Sequence, residues 1–542
     1  MKQSRVFAVL IISIAMILPG LLLARSKSAD KLVASKNMAI VETESGKVQG
    51  FIQTGTYTFR GIPYAKADRF MPPGKVPEWE GTRTTLSYGR ISPQAVNKNY
   101  DDIVEFISDH RFWIMDDDCQ NLNIWTPGIN DGKKRPVMVW LHGGGFSSGS
   151  SIELKVYDGD NLSKKGDVVV VTVNHRLNIV GFLDLSAYGD KYKYSGNLGI
   201  MDLVAALEWV KNNIANFGGD PSNVTIFGQS GGGGKVATLL GTPAAKGLFH
   251  KAIIQSGGAR LTDQKTSRKV ADYTLMYAGL VKSQVDELQK IPYEKLAEAG
   301  NKALRKAAEE SGRGGGRFGF GMMWGPVGDG DYIPRTPFDT AAPPESNDVP
   351  LIIGSTLNEF QVISSPKSRG SWGFDEVKAF LRERYGDKTD AVVAAYQKAY
   401  PKMNPNEWIL VDTVMARPGA LKTARLKAEQ GGAPVYNYLF SWQSPILDYY
   451  YRAGHSMEIP FVFNNADISI QSTGGGKEVY KLTDKVSQAW INFARTGNPN
   501  HRGLPKWPAF TAEDGATMIF DSQCEVRFNH DKELMSFATP RR

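Results

Sequence analysis

A serine set between small residues is the first feature of this chain whose type and spacing could do chemistry. The pattern G-x-S-x-G occurs twice, as Gly145-Phe146-Ser147-Ser148-Gly149 and as Gly228-Gln229-Ser230-Gly231-Gly232. Glycine supplies 56 of the 542 residues, so a chance match is expected on the order of once per chain. Context separates the two copies. Ser147 runs on into SSIELKVYDG, which does not start a helix, whereas Ser230 follows NVTIF and opens GGGKVATLLG, a strand–turn–helix junction. A nucleophilic serine needs that junction. The tight turn is strained, small residues two positions either side let the adjoining elements approach, and the helix start directs amides and a positive dipole end at the reacting centre. Ser230 is the candidate nucleophile; an inert serine in a Gly-rich turn is the competing reading.

The second motif is His142-Gly143-Gly144-Gly145, at the end of an apolar run and upstream of Ser230. Successive glycines allow a backbone path whose N–H groups converge on one spot. Such donors stabilise charge developing on a carbonyl oxygen in acyl transfer, each worth roughly 3–4 kcal/mol of barrier. A flexible turn is the bland alternative, but an HGGG run upstream of a G-x-S-x-G junction is more specific than either motif alone. A phosphate-binding loop is a rival from another class, since GQSGGGGKV has a strand, a Gly-rich turn, Lys235 and a helix. It fails G-x-x-x-x-G-K-[ST] twice: Gln229 stands where the first glycine belongs, and Val236 replaces the hydroxyl residue needed for Mg²⁺.

Ser230 needs a base, and the chain has seven histidines. His142 belongs to the glycine motif, His175 lies in VNHRL and His110 in a polar loop; His250, His455, His501 and His530 remain. Residue type does not choose among them. The chain order Ser…acid…His favours a late histidine, and an acid in a loop after a strand is available at Glu359 in VPLIIGSTLNEF.

The elements that must position these groups follow from periodicity. RPVMVWLH, DVVVVTVNHRL, VTIFG, KGLFHKAIIQSGG and VPLIIGSTLNEF read as five buried strands. GIMDLVAALEWVKNNIANFG has helical spacing of Leu203, Ala206, Leu207, Val210 and Ile214. Short β-branched strands alternating with helices predict an α/β fold, a mostly parallel sheet flanked by helices. Upstream of about residue 125 the chain is irregular, with β-rich pieces KVQGFI and YTFRGIPYA. Helical insertions are expected at about 263–311 and 373–430, with a Gly-rich run, SGRGGGRFGFGMMWGP, after the first. That run reads either as a mobile loop near a site or as a surface linker. No internal repeat or compositional break divides residues 29–542, which read as one domain with insertions.

Beyond the paired motifs, further blocks carry a family resemblance. FRGIPYA (59–65) with Arg69-Phe70 and Pro72-Pro73, DDCQNLNIW (117–125), HGGGF, NHRLNIVGFL, GNLGIMD, ALEWVKNNIANFGGDPSNVTIFGQSGG, GPVGDGDYIP and WINFARTGNPN stand in the order found in type-B carboxylesterases. The chain resembles that family, the cholinesterase-like branch of the α/β-hydrolase fold, from about residue 45 to 520. The resemblance implies an α/β-hydrolase fold with helical insertions around an active-site gorge, and hydrolysis of carboxylic esters. By position it implies Ser230 as nucleophile, Glu359 as acid, His455 in GHSMEIPFVF as base, and Gly144, Gly145 and Gly231 as oxyanion donors. Two departures stand out. The family's usual Glu before the nucleophile is Gln229 and the usual Ala after it is Gly231, which removes a buried carboxylate that could attract a cationic substrate. The cysteine of the DDC block is commonly bridged to an upstream CPQ segment, which here reads Ser92-Pro93-Gln94. Gorge-lining candidates are Phe318, Phe320, Met322, Met323 and Trp324, for each of which core packing is the alternative. Other readings on the same scaffold are an amidase or lactonase, or a binding protein without a working triad.

Composition bounds the rest. At 42% hydrophobic and 22% charged, the chain is neither disordered nor a multi-span membrane protein. Its +8 net charge falls to +4 once Lys2, Arg5, Arg25 and Lys27 are set aside, and no basic block interleaved with aromatics points to nucleic acid. Those four flank an uncharged stretch, Val6–Ala24, so residues 1–28 read as a secretory signal or an uncleaved N-terminal anchor, and the protein as exported, periplasmic or secreted. Cys119 and Cys524 are the only cysteines, either bridged or two buried thiols. No metal or organic cofactor is implied, since H-E-x-x-H and paired His/Cys spacings are missing. The expected partner is a small-molecule ester; oligomeric state is not encoded legibly.

Overall fold

The computed structural model describes residues 31–95, 102–312 and 322–538. The N-terminal segment 1–28, and Phe318 and Phe320, lie outside the described residues.

Runs of β-branched and aromatic residues build a 12-stranded sheet. Its strands are β1 (Leu32–Val33), β2 (Phe51–Gln53), β3 (Thr56–Pro63), β4 (Asn121–Thr126), β5 (Arg135–Leu141), β6 (Val169–Val173), β7 (Gly219–Gln229), β8 (Lys251–Gln255), β9 (Leu351–Thr356), β10 (Val435–Phe440), β11 (Ala516–Phe520) and β12 (Glu525–Phe528). The spatial order is β1-β2-β3-β4-β6-β5-β7-β8-β9-β10-β11-β12. From β6 across to β11 every neighbour pair is parallel, and the pairs toward both edges are antiparallel. The five strands expected from sequence are β5 to β9. β10 and β11 extend the parallel run beyond that expectation.

Both faces of the parallel core are covered, as continuous apolar strands require. Alternation sorts the residues: Val137, Val139 and Leu141 of β5 join one core with Val169 and Val171, while Met138 and Trp140 join the other with Val170 and Phe227. The helix α1 (Leu198–Asn213) buries Leu203, Leu207 and Val210 on the first face. A late amphipathic helix, Lys477–Thr496, buries Val486, Trp490 and Phe493 on the second. The first insertion forms helices Gln264–Tyr277 and Tyr293–Glu310. The second forms Phe374–Tyr385, Thr389–Ala399 and Ala416–Glu429, with its own apolar cluster around Leu381, Tyr396 and Trp408.

The order of connection fixes where a site belongs. From β5 the chain goes to β6 on one side and returns to β7 on the other, so the direction of winding reverses beside β5. A crevice opens at the carboxyl ends of strands at such a point. The loops after β5, β7 and β9 all begin there.

Candidate active site

Ser230 follows β7 directly, and α2 (Gly231–Leu239) starts one residue later. Its backbone lies at φ +57°, ψ −121°, a conformation that L-residues hold only when the surroundings impose it. The neighbours explain the glycines. A Cβ on Gly228 would come within 2.6 Å of Gly232 and of the Leu141 carbonyl, and one on Gly232 within 1.9 Å of that same carbonyl. Ser230 N–H donates to the Gln255 carbonyl of β8 at 2.8 Å, and the Ser230 carbonyl accepts the helical bond from Gly234 N–H at 3.0 Å. The Gly231 N–H therefore points out of the helix start, with no helical partner.

The loop after β5 lies against this turn. A Cβ on Gly143 would sit 3.7 Å from Ser230 Cβ, and one on Gly231 would sit 2.1 Å from the Gly145 oxygen. Gly144 and Gly145 have φ of +78° and +65°, which their lack of a Cβ permits. The Gly144 carbonyl accepts from the N–H groups of Ser147 and Ser148 at 3.2 and 3.1 Å, while the N–H groups of Gly144 and Gly145 have no acceptor among the described residues.

Glu359 lies three residues beyond β9, buried, with a backbone φ of +41°. One carboxylate oxygen accepts from Thr356 N–H at 2.9 Å, and the other is hydrogen-bonded to His455 Nδ1. The two loops are also joined through their backbones. Asn358 N–H donates to the Ala453 carbonyl at 3.0 Å, His455 N–H to the Glu359 carbonyl at 3.1 Å, and Ala453 N–H to the Asn358 side chain at 3.1 Å. Tyr451 donates to the His455 carbonyl at 2.7 Å, and the Phe360 ring centroid lies 3.9 Å from the imidazole.

Gln229 is the neighbour that residue pattern did not place. Its side-chain nitrogen is 3.2 Å from His455 Nε2 and 3.4 Å from Nδ1. A nitrogen nearly equidistant from both ring nitrogens lies over the ring face, because an in-plane position would collide with Cε1. Among the described residues the Ser230 side chain has no hydrogen-bond partner, so the structure joins Glu359 to His455 and sets Gln229 against His455, with Ser230 next in the chain.

A second layer of buried groups surrounds these. Glu458 accepts from Gln255 at 3.2 Å through one oxygen and has no partner on the other among the described residues; burial, and then the Glu359 charge, push its carboxyl up to about 7. Asp412 accepts four backbone N–H groups, from Val414 to Arg417. Burial raises its carboxyl despite them, with Glu359 adding to the shift. The other histidines serve elsewhere. His142 and His175 stack at 5.2 Å, both buried and held neutral by burial, and His250 accepts from Val224 N–H.

Met322, Met323 and Trp324 line a cavity of about 200 Å³ with Ser147, Asn178 and Tyr293. It borders the glycine loop, since a Cβ on Gly145 would touch Met323 Cε at 3.1 Å. Ser147 thus faces a cavity rather than a base. Cys119 is buried and Cys524 half-buried, both free. Among the described residues no His, Cys, Asp and Glu cluster could hold a metal ion, and no helix is long and apolar enough to cross a membrane.

A mostly parallel sheet flanked by helices carries Ser230 at a strand–helix turn and the His455–Glu359 pair in the loops after two neighbouring strands, and the class to which the chain belongs is the carboxylic ester hydrolases of the α/β-hydrolase fold. The comparisons agree: the pattern of the carboxylesterase family matches residues 37–538, and the chain belongs to that family. It is similar to the para-nitrobenzyl esterase of Bacillus subtilis (35% identity over 91% of this chain and 97% of the relative). It is also similar to liver carboxylesterase 1 of Oryctolagus cuniculus (32%, over 91% and 92%). Among solved structures, an esterase from Clostridium hathewayi that can hydrolyze aliphatic aromatic polyesters superimposes with a TM-score of 0.84 at 39% identity, over 94% of this chain and 99% of that one.

Proposed function

We propose that the protein hydrolyses small carboxylic esters through a Ser230–His455–Glu359 triad and an acyl-enzyme intermediate. His455 Nε2 takes the Ser230 proton as Oγ attacks the ester carbonyl; Glu359 holds Nδ1–H and stabilises the imidazolium. The N–H groups of Gly144, Gly145 and Gly231 receive the oxyanion. The alcohol leaves with the proton from His455, and water, activated by the same base, cleaves the acyl-enzyme. The observation that carries this reading is the Glu359–His455 pair, because the acid fixes Nδ1 as the proton-bearing nitrogen and frees Nε2 as base. The Gln229 amide lies over the imidazole face and leaves the in-plane position at Nε2 to the serine hydroxyl.

Relatives act on para-nitrobenzyl esters and aliphatic aromatic polyesters by their names. Together with the Met, Tyr and Trp lining of the cavity beside the glycine loop, this makes esters with an aromatic group the first to assay. Residues 1–28 act in this reading as an export signal, and residues 29–542 as one catalytic domain. The test is Ser230→Ala against Ser147→Ala: the first loses ester hydrolysis to background and the second keeps most of it. An active Ser230→Ala protein overturns the proposal.

A further inference from the structure

Lys235 sits one turn into α2, wholly buried, in the position where a Gly-rich phosphate loop would place its cation. Its ammonium does not face a ligand space. It donates to the His142 carbonyl at 2.8 Å and to the Gly143 carbonyl at 3.4 Å, with the Phe146 ring 5.9 Å away. All three residues belong to the glycine loop.

Peptide geometry turns those contacts into a constraint on the site. In a trans peptide unit the N–H points opposite to the preceding C=O. Holding the Gly143 carbonyl inward, against Lys235, therefore directs the Gly144 N–H outward, and Gly144 is exposed. Holding the His142 carbonyl likewise fixes the peptide unit that His142 shares with Gly143. The next unit is pinned independently, by the Ser147 and Ser148 amides on the Gly144 carbonyl. A run of three glycines has little intrinsic preference for one path, and its freedom is lost only through such anchors.

We propose that Lys235 is a positioning residue for the oxyanion hole, whose amine locks the His142–Gly144 peptides so that the Gly144 N–H faces the reacting carbonyl. This rests on the oxyanion assignment made above. The amine reaches the loop from the helix that carries Ser230 at its start, so one rigid element sets both the nucleophile and the donors. Burial holds the Lys235 ammonium down to about 7, and either the ammonium or the neutral amine has the two N–H bonds that the carbonyls use.

The test compares Lys235→Met with wild type, with active sites counted by fluorophosphonate titration. A positioning role predicts kcat lower by about 10–100-fold with KM within about threefold, and weaker binding of a trifluoromethyl ketone by the same factor, because its hemiketal oxyanion occupies the same hole. A residue that only stabilises the fold would lower the number of active sites and leave both constants unchanged per site, which overturns the proposal. Lys235→Gln keeps one N–H donor in the same pocket and serves if the Met variant does not fold; an intermediate loss in both constants is expected, and wild-type values again overturn the inference. The underlying oxyanion reading fails separately, if Ser230→Ala stays active or the ketone does not bind the wild-type enzyme.

Discussion

Glu359 and His455 are bound to each other twice, once through Glu359 Oε2 and Nδ1 and once through the Glu359 carbonyl and the His455 N–H at 3.1 Å. The backbone bond sets the distance between the loops, so the side-chain bond is made without a search. Replacing the carboxylate by its amide keeps the shape and removes the charge that selects the tautomer. Glu359→Gln is expected to lower kcat by about 10³–10⁴-fold with a thermal midpoint close to wild type. A loss below tenfold in steady-state kinetics would show that the acid is not orienting the base.

Gln229 leaves the imidazole face without a charge. Glu at this position would put a carboxylate over the ring and favour the imidazolium. The proton-accepting form then disappears at higher pH. In Gln229→Glu the acidic limb of the kcat/KM profile is expected to move up by about one pH unit. A profile that superimposes on wild type would place the side chain away from His455 during turnover.

Gly231 admits the glycine loop to within van der Waals exclusion of any Cβ, the nearest atom being the Gly145 oxygen at 2.1 Å. Gly231→Ala must displace either the loop or the turn that carries Ser230. The expected outcome is a fall in kcat of about tenfold or more, with trifluoromethyl ketone affinity falling in parallel. Unchanged kinetics would mean that the loop moves without affecting the donors.

Glu458 supplies a pH signature for stability. Its folded-state pKa is raised to about 7, so the folded protein holds that proton more tightly than the unfolded chain. The associated stability is fully present below the ordinary carboxylate pKa and is lost as pH rises through about 7. Relative to Glu458→Gln, the wild type is therefore expected to lose about 3 kcal/mol between pH 4.5 and 7.5. Denaturant titrations of both proteins across that range measure it, and parallel curves would contradict the assignment.

Much of this was legible before the coordinates. β5 to β9 follow from β-branched runs, and the strand–turn–helix context separated Ser230 from Ser147. β10 and β11 were missed because VYNYLF and ATMIF are short apolar runs whose period does not distinguish strand from buried helix. The His–Glu pairing was beyond residue types, since it depends on two loops 96 residues apart being zipped together; only family resemblance placed it. By its local sequence Lys235 belongs to a failed nucleotide motif. Its contact with the loop after β5, 92 and 93 residues upstream, is tertiary, and no local spacing encodes it.

In the proposed mechanism the hydroxyl at the β7–α2 turn is the atom that attacks. Reacting the full-length protein with a fluorophosphonate and mapping the adduct by peptide mass spectrometry tests it directly. One adduct is expected, on Ser230, with loss of ester hydrolysis in proportion to labelling. An adduct on Ser147, or hydrolysis that persists when Ser230 is fully modified, would contradict it.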